Sequence, residues 1–364
     1  MEDLVMMSFW RGRRVLVTGH TGFKGSWLTI WLHSLGARVT GLSLPPKTRP
    51  SLFEDACVET LCESRIGDIC DCDCVAAAFA HADPEFVFHL AAQPLVRVSY
   101  GAPVETFRTN VLGTVHVLEA LRSCRRVRSA VMVTSDKVYR NNDSGYAFIE
   151  SDPLGGHDPY SASKAACELA VASFRDSFLS PAGVAVSSAR AGNVIGGGDW
   201  AEDRLVPDAV RAWQVGRTLD VRNPRSTRPW QHVLESLWGY LTLAQRTAED
   251  PSVAGAYNFG PDPTGLVPVS VVVELLQLAM LGTGGARPEA RSIGRAQGPH
   301  EAAALALDSS LAARKLGVRP SLTLQQAVVR TANWYRRHAA GEPALELCLE
   351  DIRHYEDINA PVRS

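Results

Sequence analysis

The stretch Arg14-Val-Leu-Val-Thr-Gly-His-Thr-Gly-Phe-Lys-Gly25 decides the fold. Its first five residues form a β-branched, apolar run that stops at a glycine-rich turn, which predicts a buried strand. Gly19, Gly22 and Gly25 follow at intervals of three. Glycines so placed allow a tight turn and let the backbone approach a pyrophosphate lying on the N–H groups of a helix start. A Walker loop is excluded, because that needs Gly-Lys-Ser/Thr and here Lys24 precedes Gly25. Beyond the turn, Phe23, Trp27, Ile30, Trp31 and Leu35 recur at helical spacing, and Gly36 stands where the helix would end. Residues 37–42 then read as a second strand and complete a βαβ unit.

Outward from that unit the alternation continues. Apolar runs near 64–67, 86–91, 129–134, 183–189 and 256–259 predict strands; helical patterns fall near 73–81, 104–122, 160–178 and 233–246. Strands alternating with helices imply an α/β fold, a doubly wound parallel sheet of Rossmann type. From 191 to 230 the chain is rich in Gly, Pro, Asp, Arg and Trp, which reads as a ligand-facing excursion. Further helices are expected near 268–281, 308–316 (Asp308 as N-cap, Gly317 past the end) and 322–338. We therefore expect a dinucleotide-binding domain from 1–190 plus 231–262. A smaller, discontinuous α/β substrate-binding domain would comprise 191–230 plus 263–364.

Bulk properties narrow the function. With 37 basic and 39 acidic residues the formal charge is −2, which gives no support to nucleic-acid or anionic-membrane binding. The cluster Arg122–Arg128 reads as a helix end, where cations suit the dipole. No apolar stretch approaches the ~20 residues that span a bilayer. The acidic N-terminus does not read as a signal peptide, so the eight cysteines are expected reduced, in the cytoplasm. Cys70, Cys72 and Cys74 lack zinc-site pairing, and the ten histidines show no HExxH; no metal is expected.

The chemistry lies in Tyr160-Ser-Ala-Ser-Lys164, which opens a helical pattern and puts two side chains one turn apart on one face. A lysine that close is expected to stabilise phenolate and lower the tyrosine pKa from ~10 toward working pH. Such a tyrosine can take a proton from a sugar hydroxyl while hydride leaves for nicotinamide. An acidic residue about 20 positions after the glycines would hold an adenosine ribose. This chain has Gly41-Leu42-Ser43 there. Ser43 can bond a ribose hydroxyl, and Lys47 or Arg49 can tolerate a phosphate, so NAD and NADP both stay open. Asp68, after the third strand, is either an adenine contact or an ordinary turn aspartate.

Together, Gly19/Gly22/Gly25, His89-Leu-Ala-Ala92, Asn110 and Tyr160/Lys164 resemble the extended short-chain dehydrogenase/reductase family over nearly the whole chain. The segment Thr134-Ser-Asp-Lys-Val-Tyr139 resembles the branch of nucleotide-sugar 4,6-dehydratases, where a Thr/Ser-Asp-Glu triplet closes this strand. Lysine in place of that glutamate is the variant of the CDP-glucose enzymes. The resemblance extends through residues 10–28, 43–46, 189–200 and 223–235.

This resemblance implies a lyase of deoxysugar biosynthesis that holds NAD and acts on a nucleotide sugar, CDP-glucose. Oxidation of C4 acidifies the C5 proton, so loss of the C6 hydroxyl needs a base at C5 and an acid at C6. Asp136 would be the acid and Lys137 the base, its pKa depressed by burial or a neighbouring cation such as Lys164. Ser135 would steer the C4 oxygen with Tyr160. Carried over residue by residue, the cofactor contacts are Gly19, Gly22, Phe23, Gly25, Ser43, Asp68, Ile69, Leu90, Ala91, Ala92, Asn110, Tyr160 and Lys164. Gln93, Asn193, Arg204 and Arg228 would touch substrate, with Trp200 and Trp230 flanking the base. A homodimer through a four-helix bundle is expected from 104–122 and 160–178. Two other readings stay open: a 4-epimerase or reductase, which needs no acid–base pair at 136–137, and a non-catalytic NAD sensor.

Overall fold

The computed structural model describes residues 8–262, 266–281, 288–293 and 302–360. The β-branched runs form its centre. Strands β1 (Arg14–Thr18), β2 (Arg38–Ser43), β3 (Glu63–Ile66), β4 (Phe86–His89), β5 (Ser129–Val133), β6 (Ala185–Ala191) and β7 (Ala256–Phe259) make one sheet. Their order is β7-β6-β5-β4-β1-β2-β3, and every pairing is parallel. The doubly wound fold expected from the sequence is thus the fold observed.

A parallel sheet must be covered on both faces. Alternate residues of each strand point opposite ways, which sorts the core into two layers. Leu16, Val87, Ala130 and Met132 face α2 (Cys72–Ala82), α3 and α4, with Phe79, Val117 and Val171 among the partners. Helix α3 runs through Pro103–Phe107, a π turn at Arg108–Leu112, and Gly113–Ser123. Helix α4 is Pro159–Phe174, continued by a π turn at Arg175–Leu179. Val15, Val17, Phe86, Phe88 and Val131 face α1 (Phe23–Ser34) and α6 (Val233–Glu249) through Trp27, Trp31, Leu237 and Tyr240.

The stretch 191–230 is more ordered than its composition suggests. It holds α5 (Leu205–Gln214), whose Val206, Ala209 and Val210 are buried, and a short strand, Leu219–Val221, parallel to Ala290–Ser292. Proline at the third position of α5 fits a helix start, where no intrahelical N–H is needed. Three of the remaining helices follow the expected pattern: α7 (Val269–Met280), α8 (Ser310–Leu316) and α9 (Leu324–Ala339). Helix α8 opens one residue late, because Asp308 accepts from the Ser310 N–H at 2.7 Å; Gly317, at φ +75°, ends it. A last helix, α10 (Ala344–Asn359), packs on α1, where Trp31 donates to Glu356 at 2.7 Å. The apolar core on the α1 side therefore continues into Trp334, Leu347 and Tyr355 without a break.

Candidate active site

The carboxyl ends of β1 and β4 meet where the strand order reverses, the point at which such sheets bind ligands. Gly19 turns there at φ +81°, its N–H donating to the Leu42 carbonyl at 2.8 Å. A Cβ on Gly19 would sit 2.7 Å from the Ala91 nitrogen, and one on Gly25 only 2.0 Å from the Gly19 oxygen. Both glycines are sterically required. At Gly22 a Cβ would meet nothing nearer than 3.4 Å. Gly22 caps α1 without any side-chain acceptor, leaving the helix N–H groups to an anion. Leu90 and Ala91 line the same crevice, tied to Thr18 by N–H bonds of 3.0 and 3.3 Å. This cradle fits a dinucleotide pyrophosphate.

Beside it, the first turn of α4 carries Tyr160. Pro159 at N1 and Asp158, which accepts from the Ser161 N–H at 2.9 Å, fix the helix start. The Tyr160 ring is buried and its hydroxyl bonds the Ser135 side chain. Burial pushes the phenol up to about 12, against the bond to Ser135; the nearby Asp136 carboxylate raises it further and Arg204 opposes. The expected lowering by Lys164 is thus overturned. Lys164 instead donates from Nζ to the Val133 carbonyl at 3.2 Å, and burial lowers its own pKa.

The segment after β5 forms a 3-10 turn, Asp136–Val138, capped by Ser135, whose Oγ accepts from the Lys137 N–H at 3.2 Å. Ser135 also donates to Asp136 Oδ1 at 3.0 Å, while Asp136 Oδ2 is buried with no partner among the described residues. Such an oxygen is costly unless a ligand meets it. Lys137 Nζ lies 3.5 Å from Asp136 Oδ1. Its charge neighbour is therefore a carboxylate, and the cation expected from Lys164 is turned to Val133 instead.

A second lysine with a depressed pKa is Lys24, lowered to about 7 by burial and then by Arg204, with Asp136 opposing and Lys164 adding to the lowering. It donates to the Tyr240 hydroxyl at 3.4 Å. Sequence reading missed it, although a cation in the first turn of a helix opposes the dipole and was a signal. Arg204 pairs with Asp199 at 2.8 Å, close enough to act on both Lys24 and Tyr160. Asn193 presents a buried Oδ1 that has no partner among the described residues.

Other residues singled out in the sequence face the protein. Asn110 accepts from the Gln93 N–H at 2.8 Å and donates to the Gln93 carbonyl and the Ser163 hydroxyl. The Gln93 amide donates to the Leu95 carbonyl and the Thr106 hydroxyl. Arg228 donates to the carbonyls of Thr227, Ala302 and Ala303. Ser43 bonds Thr21 at 2.8 Å, Asp68 accepts from the Cys70 N–H, and Ile69 is a core residue beneath α3. Phe23 packs against the core from its rim, with its ring close to Gly196, and Ala92 is half-buried next to Ala91. Trp200 and Trp230 are both buried in the core.

The glycine turn at the start of α1, the Tyr160/Lys164 helix and the Ser135–Lys137 turn after β5 define a class. The family model for GDP-mannose 4,6 dehydratase matches residues 16–331, and the chain belongs to that family, within the extended short-chain dehydrogenase/reductases. It is 44% identical to a CDP-glucose 4,6-dehydratase of Salmonella typhimurium, over 97% of this chain and 98% of the relative. A dTDP-glucose 4,6-dehydratase of Streptomyces antibioticus is 32% identical over 75% of this chain and 76% of the relative. Among solved structures, a dTDP-glucose 4,6-dehydratase from Streptomyces venezuelae with NAD bound superposes at a TM-score of 0.76. It is 25% identical, covering 91% of this chain and 99% of the other.

Proposed function

We propose that this protein is an NAD-dependent lyase that converts CDP-glucose to CDP-4-dehydro-6-deoxyglucose and water. The observation that carries it is the turn at the end of β5, which sets Asp136 and Lys137 3.5 Å apart beside the Tyr160 hydroxyl. An epimerase or reductase would need Tyr160 without that pair, and a sensor would need neither.

NAD, held on the turn of Gly19, Gly22 and Gly25, would supply the acceptor for the C4 hydride and the source of its return to C6. Tyr160 receives the proton of the C4 hydroxyl as its phenolate, a form that burial disfavours and that the positive charge of the nicotinamide ring would favour, with Ser135 fixing the C4 oxygen. Once C4 is a ketone, Lys137 removes the C5 proton and Asp136 protonates the departing C6 hydroxyl, which leaves as water. The proton held on Lys137 returns to C5, and the proton taken by Tyr160 is exchanged through solvent for the one Asp136 gave up, which restores both groups. Lys164 holds the strand end through Val133 and supports the nicotinamide side of the pocket. Gly19, Gly22, Phe23, Gly25, Leu90, Ala91 and Ala92 form the dinucleotide contacts, with the ribose end at Ser43, Asp68 and Ile69. Asn110 fixes the loop at Gln93, Asn193 and Arg204 face the nucleotide sugar, and Arg228, expected to touch substrate, instead braces the wall of that pocket through the carbonyls of Thr227, Ala302 and Ala303. Residues 1–190 plus 231–262 serve the cofactor, and 191–230 plus 263–364 the substrate.

A homodimer completes the reading. Val104 (80% exposed), Phe107 and Leu112 on α3 and Leu169 (63% exposed) and Phe178 on α4 put apolar side chains on the surface of two adjacent helices. No described helix is long and apolar enough to cross a membrane, and all eight cysteines are unpaired, which suits the cytoplasm.

The test is incubation with CDP-, dTDP-, UDP- and GDP-glucose, each deuterated at C4. We expect turnover of CDP-glucose with the label at C6 of the product and no net consumption of cofactor. A C4 epimer, or substrate recovered unchanged, would overturn the assignment.

A further inference from the structure

Beneath the acid–base turn lies a buried ion pair that the mechanism does not use. Glu168 and Arg190 have side chains 3% and 4% exposed and meet at 2.8 Å. Such a pair is a poor source of stability, since desolvating two charges offsets most of their attraction. Its geometry gives it another use. Glu168 stands one helical turn beyond Lys164, on the same face of α4. Lys164 grips the Val133 carbonyl, and Glu168 Oε1 accepts from the hydroxyl of the next residue, Thr134, at 2.5 Å. Oε2 accepts from Ser188 at 2.7 Å and from Arg190 Nη2. The other Arg190 nitrogen, Nη1, donates to the Tyr139 hydroxyl at 2.8 Å and to the Glu150 carbonyl at 3.0 Å. Tyr139 in turn donates to Asn258 Oδ1 at 2.6 Å.

Thr134 and Tyr139 are the two ends of the segment that contains Ser135, Asp136 and Lys137. We propose that Glu168 is a positioning residue for the elimination step. A single carboxylate holds the start of the catalytic turn directly and its end through Arg190, keeping Asp136 and Lys137 in register with the sugar. The proposal rests on the dehydratase reading. Tyr160 is located by other contacts, the Asp158 cap, Ser99 and the Asn110–Ser163 bond, so oxidation at C4 depends less on Glu168.

Glu168→Gln leaves Arg190 buried without its counter-ion and can fail to fold, so Thr134→Val, nearly isosteric, carries the test. Single-turnover mixing with CDP-glucose follows reduced nicotinamide: its rise reports C4 oxidation, its decay reports elimination and hydride return. In Thr134→Val we expect a rise within about threefold of the unmodified protein, an unchanged KM, and a decay slowed on the order of 10- to 100-fold, the usual consequence of a catalytic group misplaced by about 1 Å. Thr134→Ser, which restores the hydroxyl, should restore the decay. Equal slowing of rise and decay, no slowing of either, or failure of serine to rescue would each overturn the proposal. If the unmodified protein shows neither rise nor product, the dehydratase reading itself fails, and this is seen before any variant is made.

Discussion

At the scale of the residue, pattern and environment carry different information. Tyr160 and Lys164 were legible because their spacing alone puts them on one face of a helix. Their protonation behaviour was not, since it depends on burial: the phenol is pushed up to about 12, Lys164 is lowered, and a further lysine, Lys24, is lowered to about 7. Lys24 titrates near 7 when folded and near 10.5 when unfolded. Between those values the unfolded chain holds a proton that the folded protein has released, so this group makes stability rise with pH across that window. Replacing it, Lys24→Met, should remove that rise, leaving the variant the more stable of the two near neutrality and the difference shrinking toward about pH 10. Urea unfolding at several pH values checks this; parallel pH profiles would contradict it.

At the scale of the element, the glycine turn was read correctly in place because its steric demands are local. Only glycine adopts φ +81° without strain, and the contacts of Gly25 are set within the same turn. Gly25→Ala should therefore cost about 2–4 kcal/mol and weaken NAD binding together, by forcing α1 away from the Gly19 carbonyl. Thermal unfolding and NAD titration measure the two effects, and an alanine variant with unchanged NAD affinity would refute the steric account. Helix α5 shows the opposite case. Three buried residues and a proline in ten give too little periodicity to stand out against a Gly- and Arg-rich background, so only packing reveals it. The N-cap of α8 was displaced by one residue, from Asp308 to Ser309, for a related reason, since aspartate can hold an N–H just outside a helix as readily as at its cap.

At the scale of the whole molecule, the surface of α3 and α4 makes the remaining prediction. Pairing these helices with a second copy would cover Val104, Phe107 and Leu169. Val104→Asp combined with Leu169→Asp should turn a dimer into a monomer, because two buried charges per subunit would lack partners. Sedimentation equilibrium reports the outcome, and a double variant that remains dimeric would place the interface elsewhere. The core continuous from β1 to α10 links cofactor crevice and C-terminal helices in one packed unit, a connection between residues more than 300 positions apart.

The sequence by itself determined the parallel α/β sheet, the glycine turn between β1 and α1, the shared face of Tyr160 and Lys164, and the adjacency of Asp136 and Lys137 at the end of β5, because each is written in spacings of a few residues that backbone geometry translates directly. Tertiary structure alone decided which side chains face the crevice and which are held inward. It turned Gln93, Asn110 and Arg228 onto protein carbonyls and hydroxyls, brought Lys24 beside Asp136 and Arg204, and set Glu168 under Thr134. Those outcomes depend on desolvation and on hydrogen bonds between distant strands and helices, and neither is encoded in local periodicity.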